Sequence, residues 1–359
     1  MLRYSIRSRN NSRKEAVLVR VTVKDIAKLA GVTQPTVSKA LNNEPGVSEE
    51  TRMRILSIAK ELNYVPNLAA KRLVTRQSNC IGLIWPRIEG LFYFHLCHAI
   101  EREVTKRGLT FLISVANPAE AVHTFNEHFV DRVLFWEASG WAPDMRFVKE
   151  MEAFQGELLL MGGASLPGAH RIDIDRKAGI YKAVQHLAQL GHRKITYIGN
   201  PNDKLNGYMQ GMFEFGMEHH PDYFIKRGID GKAPEQAIQG LFARPASERP
   251  TALIIDSQGM LFQMLKWFRK LRVSIPDDLS LIVYDDVPEL EDVLDVPLTT
   301  VGPNIGELAR RAVEILAGEL PAGQATDTDS KEQALSRGVE LVIEPVLTVR
   351  QSTKSLPVS

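Results

Sequence analysis

Residues 22–42, TVKDIAKLAGVTQPTVSKALN, decide the reading of the chain. Thr22 and Asp25 form a Thr-x-x-Asp box, in which the threonine hydroxyl can cap free amides and the aspartate suits the positive end of a helix dipole. Ile26, Ala27, Leu29 and Ala30 give this first helix an apolar side, and Gly31 can take a backbone conformation that a Cβ resists. Thr33 then caps a second helix, Pro35 falls in its tolerant first turn, and Val37, Ala40 and Leu41 recur at the spacing of one buried face. Two short helices about a tight turn make a helix-turn-helix. The opposite face carries Gln34, Thr36, Ser38 and Lys39, whose amide, hydroxyl and ammonium groups suit base edges and phosphates in a major groove. By pattern alone, the same residues also suit a small amphipathic hairpin of any globular domain.

Charge along the chain favours the first alternative. The 359 residues hold 44 Lys and Arg against 43 Asp and Glu, and 15 of the former but only 6 of the latter lie in residues 1–78, which leaves 29 against 37 for the rest. A basic head therefore precedes an acidic body, as expected of a polyanion-binding module joined to a domain that would itself repel nucleic acid. The length and the 44% apolar content support two or three globular units. Two cysteines, Cys80 and Cys97, do not suggest a disulfide framework and fit a reducing cytoplasm; no apolar run reaches the length of a membrane span. Residues 1–20 read as a basic, disordered arm whose apolar run, Ala16 to Val19, is too short for a signal-peptide core.

After the helix pair, Ser48 caps a third helix, EETRMRILSIAKELN, closing a minimal core. Pro66 disfavours helix at Val65, and the basic segment LAAKRLVTRQS that follows is too short to be a stable helix alone, so it reads as a hinge that orders on a partner. From Cys80 onward, short apolar runs (CIGLIW, TFLISV, RVLFW, ELLLM, KITYIG, TALIID and LSLIVY) read as buried strands and alternate with amphipathic helices. Such alternation implies parallel sheets covered on both faces, with ligands beyond the carboxyl ends of the strands.

In order and spacing, VTVKDIAKLAGVTQPTVSKALN, VSEETRMRILSIAKELNYVPN and LAAKRL resemble the DNA-binding head of the LacI/GalR family of bacterial transcription regulators, without gaps over residues 21–78. DIDRKAGIYKAVQHLAQLGHRKITYIG, KLNGY, IPDDLSLIVYDD, VPLTTV and EPVLTVRQST continue the resemblance through the body more weakly. It implies a helix-turn-helix head over residues 21–66, a hinge over 67–78, and an α/β body over 79–355 of two Rossmann-like subdomains resembling periplasmic binding proteins. Subdomain one would hold about 79–175 and 305–338, and subdomain two about 176–304 and 339–355. The polar segment 320–338 reads as an exposed loop.

For DNA, Thr33, Gln34, Thr36 and Lys39 form the groove-facing set; Ser38 and Asn42 suit phosphates or caps; the resemblance adds Thr22, Lys24, Tyr64, Asn67, Ala70 and Leu73. In the family the hinge leucine, here Leu73, wedges between base pairs in the minor groove, although pattern alone would equally make it one more buried leucine. For an effector, Lys204 and Asp285 are the leading pair, with a surface ion pair as the alternative; Trp85, Arg87, Phe92 and Tyr93 match positions that often stack against ligand, and core packing suits the aromatics nearly as well. Gln258 stands where sugar-binding relatives usually carry a ligand-contacting aspartate. The implied partners are operator DNA, a second copy of the chain and a sugar-like small molecule, in the cytoplasm at the nucleoid, with no membrane.

Enzymatic alternatives are poorly supported. Ser165 in Gly-Gly-Ala-Ser-Leu-Pro-Gly has Pro167 where a nucleophile elbow needs glycine, no phosphate-binding loop is present, and His95, Cys97 and His98 make too small a cluster for a metal. No cofactor, metal or catalytic residue is expected. A solute-binding protein of the same α/β fold without gene regulation is the remaining alternative.

Overall fold

The computed structural model describes residues 21–64, 79–85, 90–137, 141–228, 235–292, 295–319 and 338–357. The expected N-terminal arm, the whole hinge with Asn67, Ala70 and Leu73, the residue Arg87 and nearly all of the 320–338 loop lie outside the described residues. The chain divides into two compact units, residues 1–77 and 78–359.

The first unit contains three helices, α1 (Val23–Ala30), α2 (Gln34–Leu41) and α3 (Glu49–Glu61). Gly31 ends α1 in the left-handed region (φ 66°) and has no neighbour within 4 Å of the place a Cβ would occupy, so the turn needs glycine for its conformation and not for space. At the start of α1, the Thr22 N–H and hydroxyl both donate to Asp25 Oδ2 (2.9 and 2.7 Å), which holds that carboxyl below its usual range. Thr33 Oγ1 accepts from Thr36 N–H at 3.4 Å and Ser48 Oγ from Thr51 N–H at 3.4 Å, so both expected caps are made. Ile26, Ala27, Ala30, Val37, Ala40, Ile55 and Ala59 form the core. Leu29 departs from the expectation: it is 62% exposed, because Ile26 and Ala30, four residues apart, already define the inward face and Leu29 lies off it.

The second unit contains two six-stranded sheets. The first runs β11-β5-β4-β3-β1-β2, built from β1 (Cys80–Ile84), β2 (Thr110–Ser114), β3 (Arg132–Trp136), β4 (Glu157–Met161), β5 (His170–Ile174) and β11 (Glu340–Ile343), with every pair parallel. The second runs β12-β10-β9-β8-β6-β7, built from β6 (Ile195–Gly199), β7 (Phe224–Lys226), β8 (Ala252–Ile255), β9 (Ser280–Tyr284), β10 (Thr299–Gly302) and β12 (Val346–Thr348), parallel except for β10 against β12. Eight helices accompany the sheets among the described residues: α4 (Leu91–Lys106), α5 (Pro118–Glu127), α6 (Met145–Ala153), α7 (Arg176–Gln189), α8 (Asp203–Glu214), α9 (Glu235–Ala243), α10 (Gln258–Leu271) and α11 (Ile305–Leu316).

Three readings of the body are corrected. TFLISV was expected as a buried strand, yet β2 is an edge strand with Ile113 and Val115 exposed, since β-rich composition does not distinguish an edge from a centre. The strands HRIDI, FIK, TTVG, ELVI and VLT were not anticipated, because their apolar runs are short or interrupted. The last crossover falls later than residue 338: β11 pairs with β5 in the first sheet, and only after Glu344–Pro345 does the chain enter the second sheet as β12. Pro345 packs against Gly179 of α7, where a Cβ would lie 2.8 Å from Pro345 Cβ, and its carbonyl accepts from Lys182 Nζ at 3.1 Å. No helix among the described residues is long and apolar enough to cross a membrane.

Candidate functional site

The head presents one polar surface. Val37 and Ala40 are buried, which turns Gln34, Ser38, Lys39 and Asn42 outward, all of them exposed. Thr33 is exposed and Thr36 half-buried, their hydroxyls 2.9 Å apart, so Thr36 is held against the cap. Asn42 Nδ2 reaches Ser38 Oγ at 3.5 Å along the same face. Thr22 and Lys24 are exposed on the first helix, whereas Tyr64 is half-buried with its ring against the core. The helix thus offers amide, hydroxyl and ammonium groups together on the side away from its packing.

In the body, the carboxyl ends of the second sheet gather a charged rim. Asp285 follows β9 with φ 72°, a conformation rare for a residue that bears a side chain, and its N–H donates to Val301 O at 2.9 Å. Gly302 makes this possible, because a Cβ there would stand 2.8 Å from Asp285 Cα. Burial pushes the Asp285 carboxyl up to about 6, against the pull of Lys204 and Arg176. Lys204 lies in the first turn of α8; its ammonium donates to Asp256 O at 2.7 Å and stands 3.6 Å over the Tyr284 ring. Burial lowers its pKa, with Asp285 and Asp256 opposing. The expected pair therefore shares one electrostatic neighbourhood.

Reasoning from sequence missed three charged members of this rim. Asp256, 3% exposed, closes β8, accepts from Asn200 N–H at 3.0 Å through Oδ2, and has Arg227 4.0 Å from Oδ1, an atom with no hydrogen-bond partner. Arg176 opens α7 and acts on both Asp285 and Lys204. A usable signal existed: Asp256, Asn200 and Arg227 each follow a strand directly, where ligands gather in parallel sheets.

Across the cleft, the first sheet contributes aromatics. Trp85 stacks on Trp136 at 5.7 Å, Tyr93 meets Trp85 and Trp136 edge-on at 5.3 and 5.6 Å, and Phe92 meets Tyr93 and Trp136 at 5.5 and 5.8 Å. Trp85 and Phe92 are buried, so their rings are used in packing; Tyr93 is half-buried, and its hydroxyl is pushed up by burial and then by the Asp285 charge. Gln258, 4% exposed, begins α10, and its Oε1 accepts from Phe92 N–H at 3.2 Å, 166 residues away in sequence. A cavity of about 590 Å³ is lined by His95, His98, Arg102, Asp286, Asn304 and Arg350 among others, none of them a member of this constellation. His95 there pairs with Glu289, His98 lies edge-on to Phe94, and no group of three or more His, Cys, Asp or Glu among the described residues could hold a metal.

Comparison with known proteins gives these two sites a context. Residues 22–67 match the family of bacterial regulatory proteins, lacI family, and residues 184–353 match the periplasmic binding protein-like domain. The chain is 25% identical over 346 residues to the HTH-type transcriptional repressor PurR of Photobacterium profundum, covering 93% of this chain and 99% of that one. It is 27% identical over 351 residues to the HTH-type transcriptional regulator DegA of Bacillus subtilis, covering 94% and 99%. Among solved structures, the lac repressor dimer bound to operator and the anti-inducer ONPF aligns with a TM-score of 0.71 at 20% identity, over 94% of this chain and 100% of that one, a likeness of fold. The complex of the transcriptional regulator CelR with cellobiose aligns with a TM-score of 0.59 at 25% identity, over 93% and 100%.

Proposed function

Since the chain belongs to the lacI family of bacterial regulatory proteins, and is a DNA-binding transcriptional regulator with an effector-binding body and not an enzyme, we propose that it represses transcription as a homodimer on a pseudo-palindromic operator in the cytoplasm. The observation that carries this reading is the outward face of α2, where Gln34, Ser38, Lys39 and Asn42 are exposed together while Val37 and Ala40 anchor the helix from behind. One such helix covers few base pairs, and a twofold pair supplies two half-sites. Thr33, Gln34, Thr36 and Lys39 face the groove; Thr22, Lys24, Ser38, Asn42 and Tyr64 set the helix on the backbone; Asn67, Ala70 and Leu73 belong to the hinge at the centre of the site.

The effector is a small, hydroxyl-rich molecule, of the class to which the cellobiose of CelR belongs, bound between the two sheets by Lys204 and Asp285 with Tyr93 opposite. What supports this is the half-buried Asp285 carboxyl and Lys204 ammonium in one electrostatic neighbourhood, with the half-buried Tyr93 ring within reach of the Asp285 charge, groups that suit the hydroxyls and the apolar face of a sugar. Effector binding alters the relation of the two sheets and hence the ordering of the hinge on DNA. The solute-binding alternative lacks a use for the polar face of α2.

A genome-wide footprint of bound sites, followed by titration of the preferred operator, tests the proposal. Gln34→Ala and Lys39→Ala are each expected to cost about 1–3 kcal/mol on that operator and to relax selectivity at particular bases. Uniform weakening on every sequence would demote them to phosphate contacts, and unchanged affinity would remove α2 from the interface.

A further inference from the structure

Helix α4 starts without a cap of its own. Its N-cap position is Gly90, which has no side chain to accept from the free amides of the first turn. The acceptor comes instead from the other half of the body: Gln258 Oε1, at the start of α10, receives the Phe92 N–H at 3.2 Å, with both residues buried. One turn further along α4, His95 Nε2 lies 2.9 Å from each carboxylate oxygen of Glu289, which follows β9 in the one-turn helix Pro288–Glu291. The second half of the body thus grips the start of α4 at two points three residues apart, in its first and second turns. Gln258 holds its amide oxygen toward Phe92, and its Nε2 has no hydrogen-bond partner, so it is the oxygen that spans the two halves.

We propose that Gln258 is a positioning residue that latches the two halves of the effector domain together by capping α4 from α10. Two helix N-termini face each other at this contact, and an acceptor between them satisfies a free amide of one while belonging to the first turn of the other. The latch fixes α4, and through Phe92 it fixes the ring cluster of Trp85, Tyr93 and Trp136 that forms one wall of the cleft. Its consequence for DNA rests on the reading that the relation of the two halves controls the hinge; the latch itself does not.

Hydrogen exchange on the full chain without ligand, resolved at the Phe92 amide, tests it. Removing a hydrogen bond of this kind shifts a local opening equilibrium by about three- to tenfold, so Gln258→Ala should speed Phe92 exchange by that factor while amides in the middle of α4, such as those of Ala99 and Ile100, keep their wild-type rates. Gln258→Glu retains the acceptor and adds negative charge between the two positive helix ends, so it should restore Phe92 protection to wild-type level or beyond. A general loss of packing would speed the whole of α4 and would not be rescued by glutamate. Unchanged Phe92 exchange in Gln258→Ala, or a glutamate variant that exchanges like alanine, overturns the proposal. If Phe92 responds as expected while ligand-free operator affinity stays the same, the latch stands and the coupling of the two halves to the hinge falls.

Discussion

Acid should loosen the second half of the body through one histidine. His192 lies in the LGHRKI stretch just before β6, is buried, and bridges two distant segments: Nδ1 is 2.8 Å from Thr251 Oγ1 and Nε2 is 3.1 Å from Lys354 O. A carbonyl can only accept, so Nε2 carries the hydrogen and, in the neutral ring, Nδ1 receives the threonine proton; protonation turns Nδ1 into a donor and the threonine hydroxyl into its acceptor, so what opposes the charge is burial. Burial accordingly depresses its pKa from 6.5 to about 4. A base whose folded value lies below its unfolded value stabilises the fold fully above the unfolded value and loses that contribution as pH falls toward the folded one. The gap between these values, at about 1.4 kcal/mol per pH unit, is worth about 3 kcal/mol, lost between about pH 6.5 and 4. Asp285, raised to about 6, contributes in the opposite sense between about pH 6 and 3.8, so the histidine must be isolated by difference. Urea unfolding followed by far-ultraviolet circular dichroism at pH 7 and pH 4, on the wild type and on His192→Gln, gives that difference. The variant should be the less stable at pH 7 and the gap should narrow by about 3 kcal/mol at pH 4. Stability curves that stay parallel over this range would show that His192 titrates as in the unfolded chain, and the reasoning from its burial would be wrong.

Lys204→Ala and Asp285→Ala should abolish the response of operator binding to effector while sparing ligand-free binding, as titration calorimetry and gel shift would report; tight effector binding by both variants would place the site elsewhere. A neutral, hydroxyl-rich ligand should bind less tightly below about pH 6, where the Asp285 carboxylate takes up its proton, and Asp285→Asn should remove that pH dependence. Gly302→Ala should cost about 1–3 kcal/mol in denaturant unfolding, since the new Cβ meets the Asp285 backbone and not a flexible side chain; an unchanged midpoint would mean that β10 shifts without strain.

The sequence by itself determined the head. Its caps, its glycine turn and the 3.6-residue recurrence of Val37 and Ala40 act over four or five neighbours, and a signal that is made and used locally survives in a linear reading. It also determined that the body alternates strands and helices, and it offered Lys204, Asp285, Gln258 and the aromatics as cleft candidates. Tertiary structure alone decided what those residues do. Asp285, Asp256 and Arg227 come from three separate segments and become neighbours because β9, β8, β6 and β7 lie side by side, an order set by nonlocal pairing that no local period encodes. The same holds at Glu344–Pro345, where strands only two residues apart in sequence join different sheets. Gln258 was legible as a cleft residue, but whether its amide faces a ligand or caps α4 depends on where Phe92 arrives, 166 residues earlier in the chain. Trp85 and Phe92 likewise carried the composition of either a stacking platform or a core, and only the arrival of Trp136 from β3 made them core.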